Sequence, residues 1–297
     1  MLGQLEMTTS GNVMDKVQLA IKRLQSFEPE DGYYLAFSGG KDSQCIYHLA
    51  VMAGVKFDAH YALTTVDPPE LVQFIKTYYK DAWDNRHIAM RDDGKPYTMW
   101  NLIPDKRTPP TRIVRYCCEV LKETGGGGRI TVTGVRWAES SRRSANQDVV
   151  TVMNPTKRVL KQFDEMGAAY RRAKRGGIIL NDDNDENRRS VEQCYRTRKT
   201  LVNPIVDWED DDVWMFLNNI AKVPHCCLYD EGIKRIGCIG CPMASPEKRK
   251  VEFTRWPKYY KMYMRTFEKL LDARKAAGLP CNEWDDAQGV MDWWLSR

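Results

Sequence analysis

Residues 38–43 have the composition of a loop that binds phosphate groups. The sequence Ser-Gly-Gly-Lys-Asp-Ser follows a short apolar run at residues 32–37 and precedes a helical pattern at residues 43–52. Glycines let backbone amides approach an anion, a helix N-terminus adds unpaired N–H donors, and the serines and the lysine supply further donors. A simple glycine turn would not need these polar residues together. The spacing is not that of a Walker A sequence, so kinase or GTPase chemistry is not implied.

Four of the nine cysteines form two pairs with the spacing of metal ligands. Cys117 and Cys118 are adjacent, and Cys238 and Cys241 form a CxxC. Four thiolates from two short segments can close a tetrahedral zinc site or hold an iron–sulfur cluster, and a purely structural role for reduced cysteines is the third alternative. The residue types alone leave these alternatives open.

The other cysteines have no predicted ligand role. Cys45 lies one turn into the helix after the loop, where we expect it to pack in the core. Cys226 and Cys227 lie a dozen residues before the CxxC, so sulfur transfer near it and ordinary packing are both open. Cys194 and Cys281 have no fixed partner in the sequence.

The composition indicates a globular protein of the cytoplasm without a membrane partner. The chain has 297 residues, of which 42% are apolar, enough for one sizeable core or for one core and a smaller satellite. No stretch approaches the roughly 18 unbroken apolar residues of a membrane span, and residues 1–10 lack the pattern of a secretory signal. Clustered cysteines in such a chain more often serve metals or catalysis than disulfides.

Strand and helix patterns alternate along the first half of the chain. We predict an N-terminal helix at residues 13–27, and an edge strand at residues 201–206 with helices after it. Between them we predict strands at 32–37, 57–64 and 129–135, with helices at 43–52 and 69–80. This alternation favours an α/β fold, in which a parallel sheet carries helices on both faces, with a helical C-terminal region.

The net positive charge is confined to one segment. Residues 151–200 contain twelve Lys or Arg and seven Asp or Glu, while the rest of the chain holds 33 of each sign. A solvated insertion and a surface for nucleic acid both fit this charge pattern. We therefore divide the chain into an N-terminal helix (1–30), a nucleotide-binding core (31–150), a basic insertion (151–200) and a C-terminal part of the same domain (201–297).

The loop at residues 38–43 resembles the PP-loop of the adenine nucleotide alpha-hydrolase superfamily, and further motifs are similar to those of the PAPS reductase family within it. The chain carries these motifs in the family's order: DPPE at Asp67–Glu70, GVRWAESSRR at Gly134–Arg143, NPIVDW at Asn203–Trp208 leading to DVW at Asp212–Trp214, and LYDEG at Leu228–Gly232 leading to IGC at Ile236–Cys238. The motifs cover Tyr33 to about Met243, most of the chain. The resemblance implies the superfamily's α/β fold and its binding of an adenine nucleotide.

The resemblance also assigns roles to residues. It implies that ATP, or the sulfonucleotides APS or PAPS, binds at Ser38, Gly39, Gly40, Lys41, Asp42, Ser43, Asp67, Gly134, Arg136, Arg142 and Arg143. Lys41, Asp42 and Arg136 are the expected catalytic residues, with Asp42 a candidate Mg²⁺ ligand; ordinary surface pairing is the alternative for the arginines. An adjacent cysteine pair followed by a CxxC is the [4Fe-4S] ligand pattern of family members such as APS reductases, which implies a cluster on Cys117, Cys118, Cys238 and Cys241.

Two features of the sequence differ from those of the sulfate-assimilating reductases. Those enzymes carry a nucleophilic cysteine in a Glu-Cys-Gly-Leu/Ile-His stretch, whereas Cys281 lies in Pro-Cys-Asn-Glu-Trp. The basic insertion also lengthens the span between the two cysteine pairs. Both departures resemble the cluster-containing sulfurtransferases of DNA phosphorothioation and the family members of no settled function that phages and mobile elements carry.

We therefore expect the chain to be an ATP pyrophosphatase of the sulfurtransferase type. It would adenylate an acceptor for sulfur transfer, with nucleic acid bound through residues 151–200 as the candidate acceptor. A sulfur-donor protein and a second copy of the chain are further candidate partners. The alternatives are reduction of APS or PAPS, with Cys281 or another thiol as nucleophile, and a non-catalytic subunit that senses nucleotide or binds nucleic acid.

Overall fold

The computed structural model describes residues 2–153, 155, 157–165, 170–174, 177–180, 199–281 and 284–297. The chain forms two compact units, each assembled from three separate segments. The first unit contains Met1–Tyr61, Phe74–Asn85 and Gly126–Cys227, and the second contains Ala62–Gln73, Arg86–Gly125 and Leu228–Arg297. The phosphate loop therefore lies in the first unit and the two cysteine pairs lie in the second.

Twelve α-helices are assigned in the described residues. In chain order they are α1 (Leu2–Ser26), α2 (Lys41–Ala53), α3 (Pro69–Tyr78), α4 (Lys80–Asp84), α5 (Met99–Lys106), α6 (Tyr116–Leu121), α7 (Ser141–Asn146), α8 (Lys157–Glu165), α9 (Asp210–Met215), α10 (Pro246–Arg255), α11 (Pro257–Ala276) and α12 (Ala287–Leu295). Short 3₁₀ turns lie at Trp137–Glu139 and Cys227–Tyr229, and a π-helical turn continues α9 over Phe216–Ala221. None of the helices in these residues combines the length and the hydropathy that crossing a membrane requires.

A seven-stranded sheet organises the first unit. Its strands are β1 (Tyr33–Phe37), β2 (Phe57–Tyr61), β3 (Ile130–Val132), β4 (Val150–Met153), β5 (Tyr170–Arg172), β6 (Ile178–Leu180) and β7 (Lys199–Val202), in the order β2-β1-β3-β7-β4-β6-β5. The pairs β1–β2, β1–β3 and β3–β7 are parallel. The pairs β4–β7, β4–β6 and β5–β6 are antiparallel. The carboxyl ends of the parallel strands lie at one edge, where ligands bind in open α/β sheets.

The predicted α/β fold is confirmed, but the prediction of an edge strand near residue 201 is wrong. β7 lies inside the sheet, between β3 and β4. Three strands from residues 150–180 continue the sheet beyond β7, and these strands include part of the predicted basic insertion. Their side chains include the buried residues Val152, Ile178 and Ile179, which explains why β7 is not exposed at an edge.

Helix α1 supports the segment that leads into α9. Val17, Ala20 and Leu24 are fully buried at helical spacing, within the region where a helix was predicted, and the observed helix begins earlier, at Leu2. The Arg23 guanidinium donates to both Asp207 carboxylate oxygens, at 2.8 and 3.0 Å, and to the Pro204 carbonyl oxygen at 2.9 Å. Bidentate pairs of this kind fix orientation as well as distance. The chain just before α9 is therefore held in place.

The second unit is built on a helical core rather than on a sheet. Its buried cluster includes Leu102 and Ile103 of α5, Phe267 and Leu270 of α11, and Trp294 of α12. Cys117 belongs to this cluster, and Cys118, Cys238 and Cys281 pack against it. The helical character predicted for the C-terminal region is thus observed, and the cysteine pairs border an apolar core.

Candidate functional site

The phosphate loop connects β1 to the N-terminus of α2. Gly39 has φ +73°, a conformation that strongly favours glycine, and Gly40 is the N-cap residue of α2 without a side-chain capping bond. The Ser43 hydroxyl donates to the Gly40 carbonyl oxygen at 2.8 Å and accepts from the Ser38 amide at 3.2 Å. These bonds close the loop on itself. The loop thus places the first turn of α2, where helices bind anions, at the carboxyl edge of the sheet.

Two buried cations lie beside the loop. Lys41 is 6% exposed and Arg136 is 2% exposed. The Arg136 Nη1 atom donates to the Trp208 carbonyl oxygen at 3.1 Å, so the guanidinium is fixed by the backbone that precedes α9. The structure therefore brings together Lys41 and Arg136, two of the four positively charged residues that the motifs predicted for nucleotide binding.

Two carboxylates bind both cations. Asp42 Oδ1 accepts from Arg136 Nε at 2.8 Å and lies 3.3 Å from Lys41 Nζ. Asp210 Oδ1 accepts from Lys41 Nζ at 2.8 Å and from Arg136 Nη2 at 2.6 Å. We refer to Lys41, Asp42, Arg136 and Asp210 as the loop quartet. Its formal charge is zero, and its members come from α2, α9 and the segment after β3.

The quartet stabilises the charged form of its members. The hydrogen bond from Lys41 is the main cause that lowers the pKa of Asp210, and burial opposes it. Burial disfavours the Arg136 cation, but the charges and hydrogen bonds of Asp42 and Asp210 outweigh it and raise the pKa of Arg136. Both shifts favour the ionised forms of Asp210 and Arg136.

Gly134 lets the segment after β3 approach the loop. A Cβ atom at this position would lie 2.8 Å from the Asp42 carbonyl oxygen and 2.9 Å from its carbonyl carbon. Contacts this short require the backbone to move. The residue was predicted for nucleotide binding, and its observed role in packing is to allow Asp42 and Arg136 to meet.

We expect Gly134→Ala to destabilise the protein by about 1–3 kcal/mol and to weaken pyrophosphate binding about tenfold, because the added methyl group displaces the loop backbone. Chemical denaturation and titration calorimetry measure the two effects. Gly127→Ala is the matched control, since the space around a Cβ at Gly127 is open. If the two variants have the same free energy of unfolding and the same pyrophosphate affinity, Gly134 does not have this role.

The other two predicted arginines lie on or beside α7. Arg143 pairs with Glu139 one turn earlier, and its backbone amide donates to the Ser140 side chain at the start of α7. The side chain of Arg142 lies outside the described part of the structure. A nucleotide role for both residues stays a prediction.

Asp67, also predicted for nucleotide binding, contacts a cysteine. Its Oδ2 atom accepts from the Thr64 hydroxyl at 2.5 Å, and the Cys238 thiol lies 3.6 Å from Oδ1 and 3.7 Å from the Thr64 hydroxyl. Asp67 and Thr64 are both buried. In the second unit Asp67 therefore belongs to the surroundings of the CxxC.

The four predicted ligand cysteines are neighbours in the second unit. A hydrogen bond with Cys118, then burial, raises the pKa of Cys117, and the charges of Cys238 and Cys241 add to the effect. The same hydrogen bond lowers the pKa of Cys118 to about 6. Burial raises the pKa of Cys238 to about 12. Within the described residues, no three Cys, His, Asp or Glu side chains are already spaced as ligands of one metal ion.

The turn that carries the CxxC is tightly packed. Gly240 has φ +71°, and a Cβ there would lie 2.9 Å from Phe253, 3.0 Å from Trp294 and 3.2 Å from Tyr263. The Gly240 amide donates to Glu252 at 2.9 Å, and the Tyr263 hydroxyl donates to the Ile239 carbonyl oxygen at 3.0 Å. Aromatic side chains thus form an apolar wall at the turn between the two cysteines.

Positive charges act on the cysteine centre. The charge of Cys238 is the main cause that raises the pKa of Lys122, and Lys122 with Arg115 helps lower the pKa of Cys118. Arg249 is buried and donates to the Trp294 carbonyl oxygen at 2.7 Å. Burial lowers the pKa of Arg249, the nearby charge of Arg112 lowers it further, and the charge of Cys241 opposes both. A centre of four thiolates is negative, so these cations suit it.

The remaining cysteines have varied surroundings. Cys45 is fully buried, as predicted, and Cys226 is also buried, whereas Cys227 is exposed. Cys281 packs against the core of the second unit with its thiol 3.9 Å from the Leu279 carbonyl oxygen. Cys194 lies outside the described residues.

Comparison with protein families gives one match that covers most of the chain. Residues 32–244 match the model of the phosphoadenosine phosphosulfate reductase domain. The chain belongs to this family. It is accordingly a PP-loop protein of the kind that binds adenine nucleotides, as the motifs implied. The matched range contains the loop quartet and all four predicted ligand cysteines.

Two curated relatives are uncharacterized proteins of Methanocaldococcus jannaschii. One is 24% identical over 87% of this chain and 50% of its own length, and the other is 23% identical over 79% of this chain and 42% of its own length. The chain thus spans about half the length of the curated relatives it matches. Similar solved structures include Candida glabrata FMN adenylyltransferase (14% identity, TM-score 0.44, 77% of this chain and 62% of that chain) and yeast FAD synthetase with FAD (13%, 0.42, 77% and 66%).

Two residues that the motifs did not single out belong to the sites of this family member. Asp210 was not among the predicted site residues, yet it binds both loop cations. Lys122 lies four residues after Cys118, a spacing that places two side chains on one face of a helix. That spacing was a usable signal for Lys122. The sequence gives no comparable signal for Asp210, because its partners are 74 and 169 positions away.

Proposed function

We propose that the chain binds ATP at the loop and transfers its adenylyl group to an oxygen of an acceptor, releasing pyrophosphate, as the first half of a sulfur-transfer reaction. The observation that carries the proposal is the pair of buried cations, Lys41 and Arg136, fixed beside a glycine loop at a helix N-terminus. Such preorganised cations and N–H donors stabilise negative charge that develops on a leaving group. Pyrophosphate leaving from ATP is a group of that kind.

The proposed step forms one bond and breaks one. An acceptor oxygen attacks the α-phosphorus, the bond between that phosphorus and the bridging oxygen to the β-phosphate breaks, and the electron pair leaves with pyrophosphate. Lys41 and Arg136 take up the charge on the departing oxygens, and the amides of the loop bind the phosphate groups. Asp42 is suited to hold Mg²⁺, which accompanies nucleotide phosphates. A sulfur nucleophile from a donor protein would then displace AMP from the adenylated acceptor.

Nucleic acid is the acceptor class that the charge distribution favours. The segment that carries the net positive charge contributes β5 to the sheet of the first unit, and Arg171 and Arg172 on this strand are exposed. Arg171 also donates to the carbonyl oxygen of Ala145 in α7, at 3.2 Å. Exposed arginines bind phosphate backbones by displacing condensed counterions.

The second unit fits a [4Fe-4S] cluster bound by the four clustered cysteines, Cys117, Cys118, Cys238 and Cys241. These thiols lie beside an apolar wall, and three cations, Lys122, Arg115 and Arg249, are close enough to act on them. Such a cluster supplies electron transfer or sulfur chemistry when it is bound. The protein's part is to present the thiolates and to compensate their charge with the three cations. Zinc on the same four thiolates is the competing assignment.

Reduction of a sulfonucleotide is the second candidate function, and the family match favours it. In that reaction a thiol attacks the sulfur of the bound APS or PAPS, the bond from that sulfur to the phosphate oxygen breaks, and the nucleotide leaves. A second thiol, from the thiol reductant, then attacks the first to form a disulfide and releases sulfite. The surroundings of Cys281 weigh against it as the nucleophile, because its side chain packs against an apolar core and it is not followed by the glycine and histidine of the reductase motif.

One anaerobic assay separates these functions. The protein is incubated with ATP in the presence and absence of DNA and RNA, and in parallel with APS or PAPS and a thiol reductant. We expect pyrophosphate release from ATP, stimulated severalfold or more by one of the nucleic acids. Sulfite release without pyrophosphate would establish the reductase instead, and nucleotide binding without either product would indicate a sensing subunit.

A further inference from the structure

The loop cations already have anionic partners within the protein. Lys41 and Arg136 carry two positive charges, and Asp42 and Asp210 carry two negative charges. A single oxygen atom, Asp210 Oδ1, accepts hydrogen bonds from both cations. One anionic oxygen shared by an ammonium and a guanidinium is also the arrangement of a bound phosphate oxygen. A phosphate group that binds both cations in the same way has to take the place of this carboxylate oxygen.

Asp210 is the carboxylate that a ligand can displace from the two cations. Its side chain is 66% exposed, compared with 27% for Asp42. Although Asp210 is the first residue of α9, the N-terminus of that helix is closed by a capping box between Glu209 and Asp212, in which the Glu209 amide donates to Asp212 at 2.7 Å. Rotation of the Asp210 side chain into solvent therefore leaves the helix cap intact.

We propose that Asp210 competes with the nucleotide phosphates: it is an internal anion that occupies Lys41 and Arg136 until the pyrophosphate part of a nucleotide displaces it. The inference rests on the proposed function in that the same two cations bind the phosphates. A ligand must interact with the cations more strongly than a carboxylate does. Two adjacent phosphate groups carry more charge and more acceptor oxygens than one, so pyrophosphate meets this requirement better than a single phosphate, while Asp210 lowers the apparent affinity of both by the same factor.

The consequence is that removing the Asp210 charge strengthens anion binding. Asp210→Asn keeps the size of the side chain and removes its charge. Asp211→Asn is the matched control, because it removes the same charge from the adjacent, exposed residue of the same helical turn. Titration calorimetry with inorganic pyrophosphate and with orthophosphate, at one salt concentration and without Mg²⁺, measures the affinities.

We expect Asp210→Asn to bind pyrophosphate about tenfold more tightly than the wild type, with a similar relative gain for orthophosphate because both ligands displace the same carboxylate, and Asp211→Asn to stay within about twofold. Equal or weaker binding by Asp210→Asn overturns the inference, and so do equal gains in both variants, which would reflect net charge alone. If Asp210→Asn does not fold, Asp210→Ser removes the same charge with a smaller side chain.

A repeat with Mg²⁺ and ATP tests the competing role of Asp210 as a metal ligand. If Asp210→Asn binds ATP more weakly than the wild type only when Mg²⁺ is present, Asp210 is a metal ligand. That result would overturn the inference that phosphate displaces Asp210 from the two cations. The outcome for the proposed function is separate. If the wild type and the variants bind pyrophosphate with the expected order but release none from ATP, the proposed reaction fails and the inference about Asp210 stands.

Discussion

Replacing Lys41 with methionine is expected to lower pyrophosphate release from ATP by at least about 100-fold. The methionine side chain fills most of the buried space but cannot compensate the charge that develops on the leaving group. Asp42 and Asp210 retain Arg136 as a partner, so the fold is expected to persist. The measurement is a steady-state pyrophosphate assay, accompanied by thermal unfolding to confirm that the variant is folded.

Lys56→Met is the control for this prediction. Lys56 is an exposed lysine of the same unit, and its replacement changes the net charge by the same amount. We expect its activity to remain within about twofold of the wild type, since exposed charges are largely screened by salt. A Lys41→Met variant that is folded and keeps activity within a few-fold would show that the leaving group is not stabilised at this loop.

Replacing Cys238 with serine is expected to remove most of the proposed iron–sulfur cluster from the second unit. Protein purified without oxygen should be brown and contain about four iron atoms per chain, because thiolate-to-iron charge transfer absorbs visible light. A serine hydroxyl is a poor ligand for iron, so the variant should lose most of the visible absorbance and iron. Loss of the centre should also lower the midpoint of thermal unfolding of this unit, whose core borders the cysteines.

Cys227→Ser is the control, since Cys227 is exposed and is not one of the four clustered cysteines. It is expected to keep the iron content and the absorbance of the wild type. A colourless wild type with one zinc ion per chain would replace the cluster with a zinc site. A variant of Cys238 that keeps full iron content would remove this residue from the ligand set.

The parts of the fold that depend on local patterns could be predicted from the sequence. The loop glycines, the apolar run before them and the helical pattern after them indicated β1, the loop and α2 to within a few residues. The helical pattern at residues 13–27 indicated the C-terminal part of α1. The position of β7 could not be predicted in this way. It depends on pairing with β4, about fifty residues earlier, and no local pattern encodes the order of strands.

The same distinction applies to the residues of the candidate sites: those within local motifs could be predicted, and those that depend on distant contacts could not. Lys41, Asp42 and Arg136 were found because motifs place them, and the structure brings them together. Asp210 completes the quartet through contacts distant in sequence, and a run of three aspartates at a helix start conceals which one binds the loop. The motif that contains Asp67 gave no indication that its carboxylate would contact Cys238, because this contact joins residues 171 positions apart.

Transfer of labelled AMP tests the central claim most directly. The protein is incubated without oxygen with ATP labelled at the α-phosphate and with the nucleic acid that stimulates pyrophosphate release. Our account predicts that label becomes attached to the nucleic acid and that one pyrophosphate is released for each label transferred, before a sulfur donor is added. Label that remains only in ATP, together with sulfite production from a sulfonucleotide, would contradict the account.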